Sequence, residues 1–133
     1  MRAFRFMSQL GFDFEKNTEI AIKENIHVLK KISQERITNE LNKLIVGKYA
    51  VKSFEKMKEL KVLDYVLPEL KVIYNFEQNN PYHKFTLWEH SMNVLNGVCP
   101  ELTTRWSALL HDIGKSEAKT VDEKTGYFHF YKH

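Results

Sequence analysis

Apolar residues recur at three- and four-residue intervals along most of this chain, the period of helices that each bury one face. Phe4, Phe6, Met7 and Leu10 make the first stripe and stop at Gly11, so residues 1–10 are predicted to be helical. With no cap or lead-in before Met1, that segment reads as the tail of a longer helix. Ile20, Ile22, Ile26, Leu29 and Ile32 form a broader stripe on a second helix, which Asn17 or Thr18 is placed to cap. Ser33 caps a third helix carrying Ile37, Leu41, Leu44 and Ile45, and Gly47 ends it. Val51, Phe54, Met57 and Leu60 predict a fourth, followed by a short apolar segment from Leu63 to Leu70 that Pro68 interrupts.

The polar, turn-rich run Glu77-Gln78-Asn79-Asn80-Pro81 is the best internal boundary, dividing the chain into units 1–76 and 77–133. Beyond it, Thr86 and Glu89 stand at capping-box spacing and open a helix to about Val98. Pro100 and Glu101 suit the start of the next, which runs through Trp106, Leu109 and Leu110 to Gly114. The pattern then changes: Lys119-Thr120-Val121, a turn-prone centre from Asp122 to Gly126, and Tyr127 to Tyr131 predict a short β-hairpin or a long loop. The expected fold is all-α, a helical bundle with that one hairpin near the C-terminus.

Composition narrows the class. A chain of 133 residues, 43% hydrophobic and 28% charged, fits one compact domain or two small helical units and excludes intrinsic disorder. No apolar run approaches the ~18 residues of a membrane span, and the first residues lack the pattern of a secretory signal. Cys99 alone forms no internal disulfide and has no His near it in sequence to make it a catalytic thiol. A cytoplasmic protein without a membrane partner is expected. Residues 1–70 hold 13 Lys/Arg against 10 Asp/Glu, and residues 71–133 hold 7 against 7, so the net +3 resides in the first half. That excess mildly favours a polyanion there, against the plainer reading of a solvated face.

The chemistry concentrates at Ala108-Leu109-Leu110-His111-Asp112-Ile113-Gly114-Lys115, with Thr86-Leu87-Trp88-Glu89-His90 on the preceding helix. Imidazole nitrogens and a carboxylate bind divalent ions, and His90, His111 and Asp112 can converge on one. Such an ion lowers the pKa of its water and polarises a phosphoryl oxygen, so hydrolysis of a phosphate ester is the expected reaction, with Asp112 and Lys115 as catalytic groups. Lys115, one turn after His111, is also placed to meet a substrate phosphate. His133 is a further candidate ligand, and His83 and His129 candidate substrate contacts. The metal stays open among Ni, Mn, Fe, Zn and Mg. His27, on a Lys-rich helix, reads as a surface residue; Trp88 and Trp106 read as core.

The run from Ala108 to Lys115 with His90 resembles the HD superfamily of metal-dependent phosphohydrolases, which implies metal binding by His90, His111 and Asp112. That superfamily's late Asp ligand has no match before His133, while its further His has a counterpart in His133. The first half, Arg2-Ala3-Phe4-Arg5-Phe6, Ser8-Gln9-Leu10-Gly11-Phe12 and Ile32-Ser33-Gln34-Glu35-Arg36 with Glu40, Leu41 and Lys43, is similar to the neck region of bacterial class II CCA-adding enzymes and poly(A) polymerases. This resemblance implies a neck and body region over 1–76 that contacts tRNA through Arg2, Arg5, Arg36 and Lys43, and a partial HD domain over 77–133. The plainer role for those cations is intramolecular pairing, as between Glu40 and Lys43. The family's head motifs, Gly-Gly-x-x-Arg, Asp-x-Asp and Glu-Asp-x-x-Arg, are missing, so the expectation is a fragment unable by itself to transfer nucleotides. Two other readings stay open: a non-catalytic RNA-binding module with a vestigial HD site, and a free-standing HD phosphohydrolase.

Overall fold

The computed structural model describes residues 1–77 and 86–115, and residues 119–121 and 128–130 as backbone. Among the described residues, seven α-helices follow in order: α1 (Arg2–Leu10), α2 (Lys16–Glu24), α3 (Gln34–Ile45), α4 (Ala50–Glu59), α5 (Leu63–Val66), α6 (Leu87–Gly97) and α7 (Leu102–Leu110). Two 3-10 helices, Ile26–Lys31 and Pro68–Ile73, join α2 to α3 and follow α5. The expected hairpin is present: β1 (Lys119–Val121) pairs antiparallel with β2 (Phe128–Phe130), Thr120 opposite His129. The fold is therefore all-α with one small hairpin, as the periodicity predicts. No described helix is long and apolar enough to cross a membrane.

One difference from the sequence reading lies in the second helix. Instead of running to Ile32, α2 stops at Asn25, whose side-chain amide donates to the Ala21 carbonyl at 2.8 Å while its backbone N–H bonds Ala21 and Ile22. Competition of this kind ends helices at Asn, and the chain tightens into the 3-10 turn. The residue at its start is Glu15, and no side chain caps it, so Asn17 and Thr18 lie inside the helix. Ile20 and Val28 remain exposed; Ile22, Ile26, Leu29 and Ile32 pack partly on the core. The Ser33 cap forms as predicted, its Oγ accepting from the Arg36 amide.

A single core runs from Phe4 through Leu41, Phe54 and Leu63 to Trp88 and Leu109. Helix α1 lies close against α3 and α4. Ser53 Oγ donates to the Phe4 carbonyl at 2.7 Å, the Tyr49 amide donates to the Ser8 carbonyl at 2.7 Å, and Ser8 Oγ donates to the Leu44 carbonyl. Helices α6 and α7 close the core from the other side. Trp88 is buried and donates its indole N–H to Glu55 at 2.9 Å, and half-buried Trp106 donates to Asn42 at 2.7 Å. Arg105, buried on α7, reaches the Ile45 carbonyl and the Cys99 carbonyl.

Gly47 is required by that close approach. A Cβ there would meet Ser8 Oγ and stand 2.6 Å from the Ser8 carbonyl oxygen, which is backbone and cannot step aside. Gly47→Ala is expected to cost about 1 to 3 kcal/mol, as overpacking does, and thermal melting of the variant measures it. An unchanged melting temperature would mean that α1 does not pack here.

Candidate metal centre and nucleic-acid interface

Helix α6 starts where Thr86 Oγ1 accepts the Glu89 amide at 3.2 Å, with Leu87 N–H bonded to the Phe76 carbonyl. One turn in stands His90. Helix α7 starts at Glu101, whose carboxylate accepts from the Thr103 and Thr104 amides at 3.1 and 2.8 Å and from the Thr104 hydroxyl at 2.7 Å. The Thr104 hydroxyl first, then the two amides, hold the Glu101 carboxyl below its usual titration range. The helix ends at Leu110, not at Gly114 as its pattern suggests; residues 111–114 form turns, with the Ile113 amide on Leu110 and the Lys115 amide on Asp112. This tighter turning brings His111 and Asp112 round to face α6.

The three predicted ligands meet there. His111 Nε2 lies 3.0 Å and His90 Nε2 3.3 Å from Asp112 Oδ2, and the two Nε2 atoms are 3.3 Å apart. One ligand atom from each falls within 4.8 Å of the others. His111 Nδ1 contacts the Ala108 carbonyl at 2.7 Å; a carbonyl only accepts, so Nδ1 is the donor there and Nε2 is the ring nitrogen turned toward the cluster. Asp112 is buried and both imidazoles are partly open, which suits an ion reached from solvent on one side. A buried carboxylate needs compensating charge. Lys115 Nζ provides some at 3.2 Å. Two imidazole nitrogens and a carboxylate oxygen so disposed fit a divalent transition metal.

A second site is a cleft between α1 and α3. Arg2 on α1 faces Arg36 and Lys43 on α3 across a cleft of about 480 Å³, with Asn39 and Glu40 between them. Arg2, Arg36 and Lys43 are all exposed. Arg5 does not line it: its guanidinium pairs with Glu40 at 3.3 Å and stacks over Phe6. Glu40 thus pairs across to α1 rather than along its own helix to Lys43.

His83 and His133 lie outside the described residues. His129 is described only as backbone, in β2. His27 is exposed, as read from the sequence, and Cys99 is exposed as well. The sequence reading passed over the Ala108 carbonyl, although a His three residues beyond a helical residue is in register to bond it. Asn39 was also missed as a lining residue, although it falls one turn before Lys43 on the face that carries Arg36.

Residues 11–74 match the family model for the probable RNA- and SrmB-binding site of polymerase A. Over 142 residues, 99% of its length, the chain is 31% identical to the A-adding tRNA nucleotidyltransferase of Deinococcus radiodurans, of which the match covers 32%. Over 143 residues it is 28% identical to the CC-adding tRNA nucleotidyltransferase of Thermus thermophilus, covering 33% of that enzyme. A shorter match, 47% over 72 residues, joins 54% of the chain to 18% of the CCA-adding enzyme of Bacillus cytotoxicus. The chain spans about a third of the length of the curated relatives it matches from end to end. No solved structure matches it.

The Glu101 cap makes α7, and so the position of His111 and Asp112, sensitive to acid. A carboxyl depressed in the folded state stabilises it above the ordinary Glu pKa and loses that contribution as pH falls through the folded value. Thermal melts of the wild type and Glu101→Gln are expected to differ at neutral pH and to converge as the pH falls below the lowered titration range of Glu101. A gap independent of pH would remove the carboxylate from this role.

Proposed function

We propose, from the tRNA nucleotidyltransferase family that both the model match and the relatives support, that this chain is the tRNA-holding part of such an enzyme and carries a divalent-metal centre at α6 and the end of α7. The observation that carries the first half is an overlap. The matched RNA-binding region, residues 11–74, contains Arg36 and Lys43, and these face Arg2 across one cleft. Cations at fixed positions around a groove engage phosphates and set the register of an RNA without reading its bases. Arg5, held by Glu40 and Phe6, keeps α1 in place beside that groove. The boundary near residue 77 then separates two faces over one shared core: RNA on 1–76, metal on 77–133. We assign the chain RNA holding in the cytoplasm.

At the metal centre, His90 and His111 through Nε2 and Asp112 through Oδ2 would hold the ion, which when bound supplies Lewis acidity and an activated water for phosphate-ester hydrolysis. Histidine-rich donors of this kind favour Mn, Fe, Ni or Zn over Mg. The Ala108 carbonyl fixes the tautomer of His111, burial keeps Asp112 in a water-poor setting that strengthens its field, and Lys115 stands ready to neutralise phosphate charge. His83, His129 and His133 remain proposed substrate and metal contacts. A structural reading of the triad has its own support, the Lys115 contact to Asp112, which closes the cluster with charge from the chain itself.

In binding assays with tRNA, Arg36→Ala and Lys43→Ala are each expected to weaken binding and to reduce the slope of log affinity against log salt by about one phosphate contact. Wild-type affinity and slope in both variants would remove the cleft from RNA recognition. Elemental analysis after incubation with Mn²⁺ is expected to find close to one ion per chain and none for His111→Ala. Equal uptake by both would move the ion elsewhere.

A further inference from the structure

Three nitrogens crowd Asp112 Oδ2. His111 Nε2, His90 Nε2 and Lys115 Nζ all approach it, at 3.0, 3.3 and 3.2 Å, although one carboxylate oxygen presents about two lone-pair directions. Asp112 and Lys115 are both buried, 3% and 8% exposed, so their charges are weakly screened. They stand three residues apart on one turn, and lysine reaches the carboxylate through a flexible four-carbon stem. An ammonium in this position does for the carboxylate what a metal would do: it compensates a buried negative charge. The two cations cannot share the oxygen without repelling one another at short range in a medium of low dielectric.

We infer that Lys115 is a built-in counter-ion of the triad, holding Asp112 while no metal is bound and displaced from it when a divalent ion enters. The inference rests on reading the triad as a metal centre, and gives Lys115 a role in the order of events. The displaced ammonium would stay tethered one turn away, within reach of a phosphate held at the ion. Lys115 would then be withdrawn from Asp112 only when an ion is bound, and the chain without metal keeps its lysine on the carboxylate. In this scheme Lys115 is a positioning residue, acting on the ion through Asp112.

Calorimetric titration with Mn²⁺ of the full chain and of Lys115→Met tests this. The variant keeps the length and apolar stem of lysine and removes the charge, so it is expected to bind Mn²⁺ roughly tenfold more tightly, within the usual range of coupling between two ligands. Without metal it is expected to melt at a lower temperature, because Asp112 has lost its internal cation. A measurement on the wild type guards against a variant that folds badly: the rate of Lys115 acylation by an amine-reactive ester, followed by mass spectrometry, is expected to rise severalfold when Mn²⁺ is added. Equal or weaker Mn²⁺ affinity in Lys115→Met, or an acylation rate indifferent to the ion, overturns the counter-ion role and leaves the metal centre standing. Absence of Mn²⁺ binding in both proteins overturns both.

Discussion

The last turn of α3 is the junction on which this molecule depends. A helix end leaves carbonyl oxygens without intrahelical partners, and burying them requires donors from elsewhere. Here the donors come from both directions: Ser8 of α1 adds to the Gly47 amide already on the Leu44 carbonyl, and Arg105 of α7 reaches the Ile45 carbonyl. Trp106 adds a bond to Asn42 one turn earlier. The same turn therefore fixes α1, which carries Arg2 to the cleft, and α7, which carries His111 and Asp112 to the triad. Gly47 just beyond it lets the α1 backbone come close enough for this to work.

Both sites follow from that arrangement by ordinary electrostatics. On the α1–α3 side the cations are exposed and spread around a groove, which suits a polyanion whose charges are themselves spaced and hydrated. On the α6–α7 side a single carboxylate is buried, and the fold surrounds it with nitrogen. Spread positive charge and concentrated ligand atoms call for different partners, RNA in one case and a small cation in the other. The polymerase A RNA-binding match covers the α3 side of the first, while the tRNA nucleotidyltransferase relatives extend over both.

Much of this was legible in the sequence because helical period, caps and ligand spacing are local. The stripes of α3 and α4, the Ser33 and Thr86 caps, the hairpin, and the meeting of His90 with His111 and Asp112 all follow from patterns a few residues long. What escaped is decided across distance. Asn25 breaks the second helix by taking a carbonyl that the periodicity of its apolar neighbours cannot reveal. Arg5 looked like its neighbour Arg2, yet Glu40, 35 residues away, pulls it inward. Lys115 read as a phosphate contact, and only the geometry discloses that it already has hold of Asp112.

That RNA lies against α1 and α3, away from the metal triad, is the claim on which the functional account turns. It is tested most directly by the backbone amide shifts of the isotopically labelled chain as tRNA is added. The account predicts shifts concentrated at Arg2 and along Arg36 to Lys43, with the amides around His90 and His111 little changed. Shifts centred on α6 and α7, or none anywhere at saturating tRNA, would contradict it.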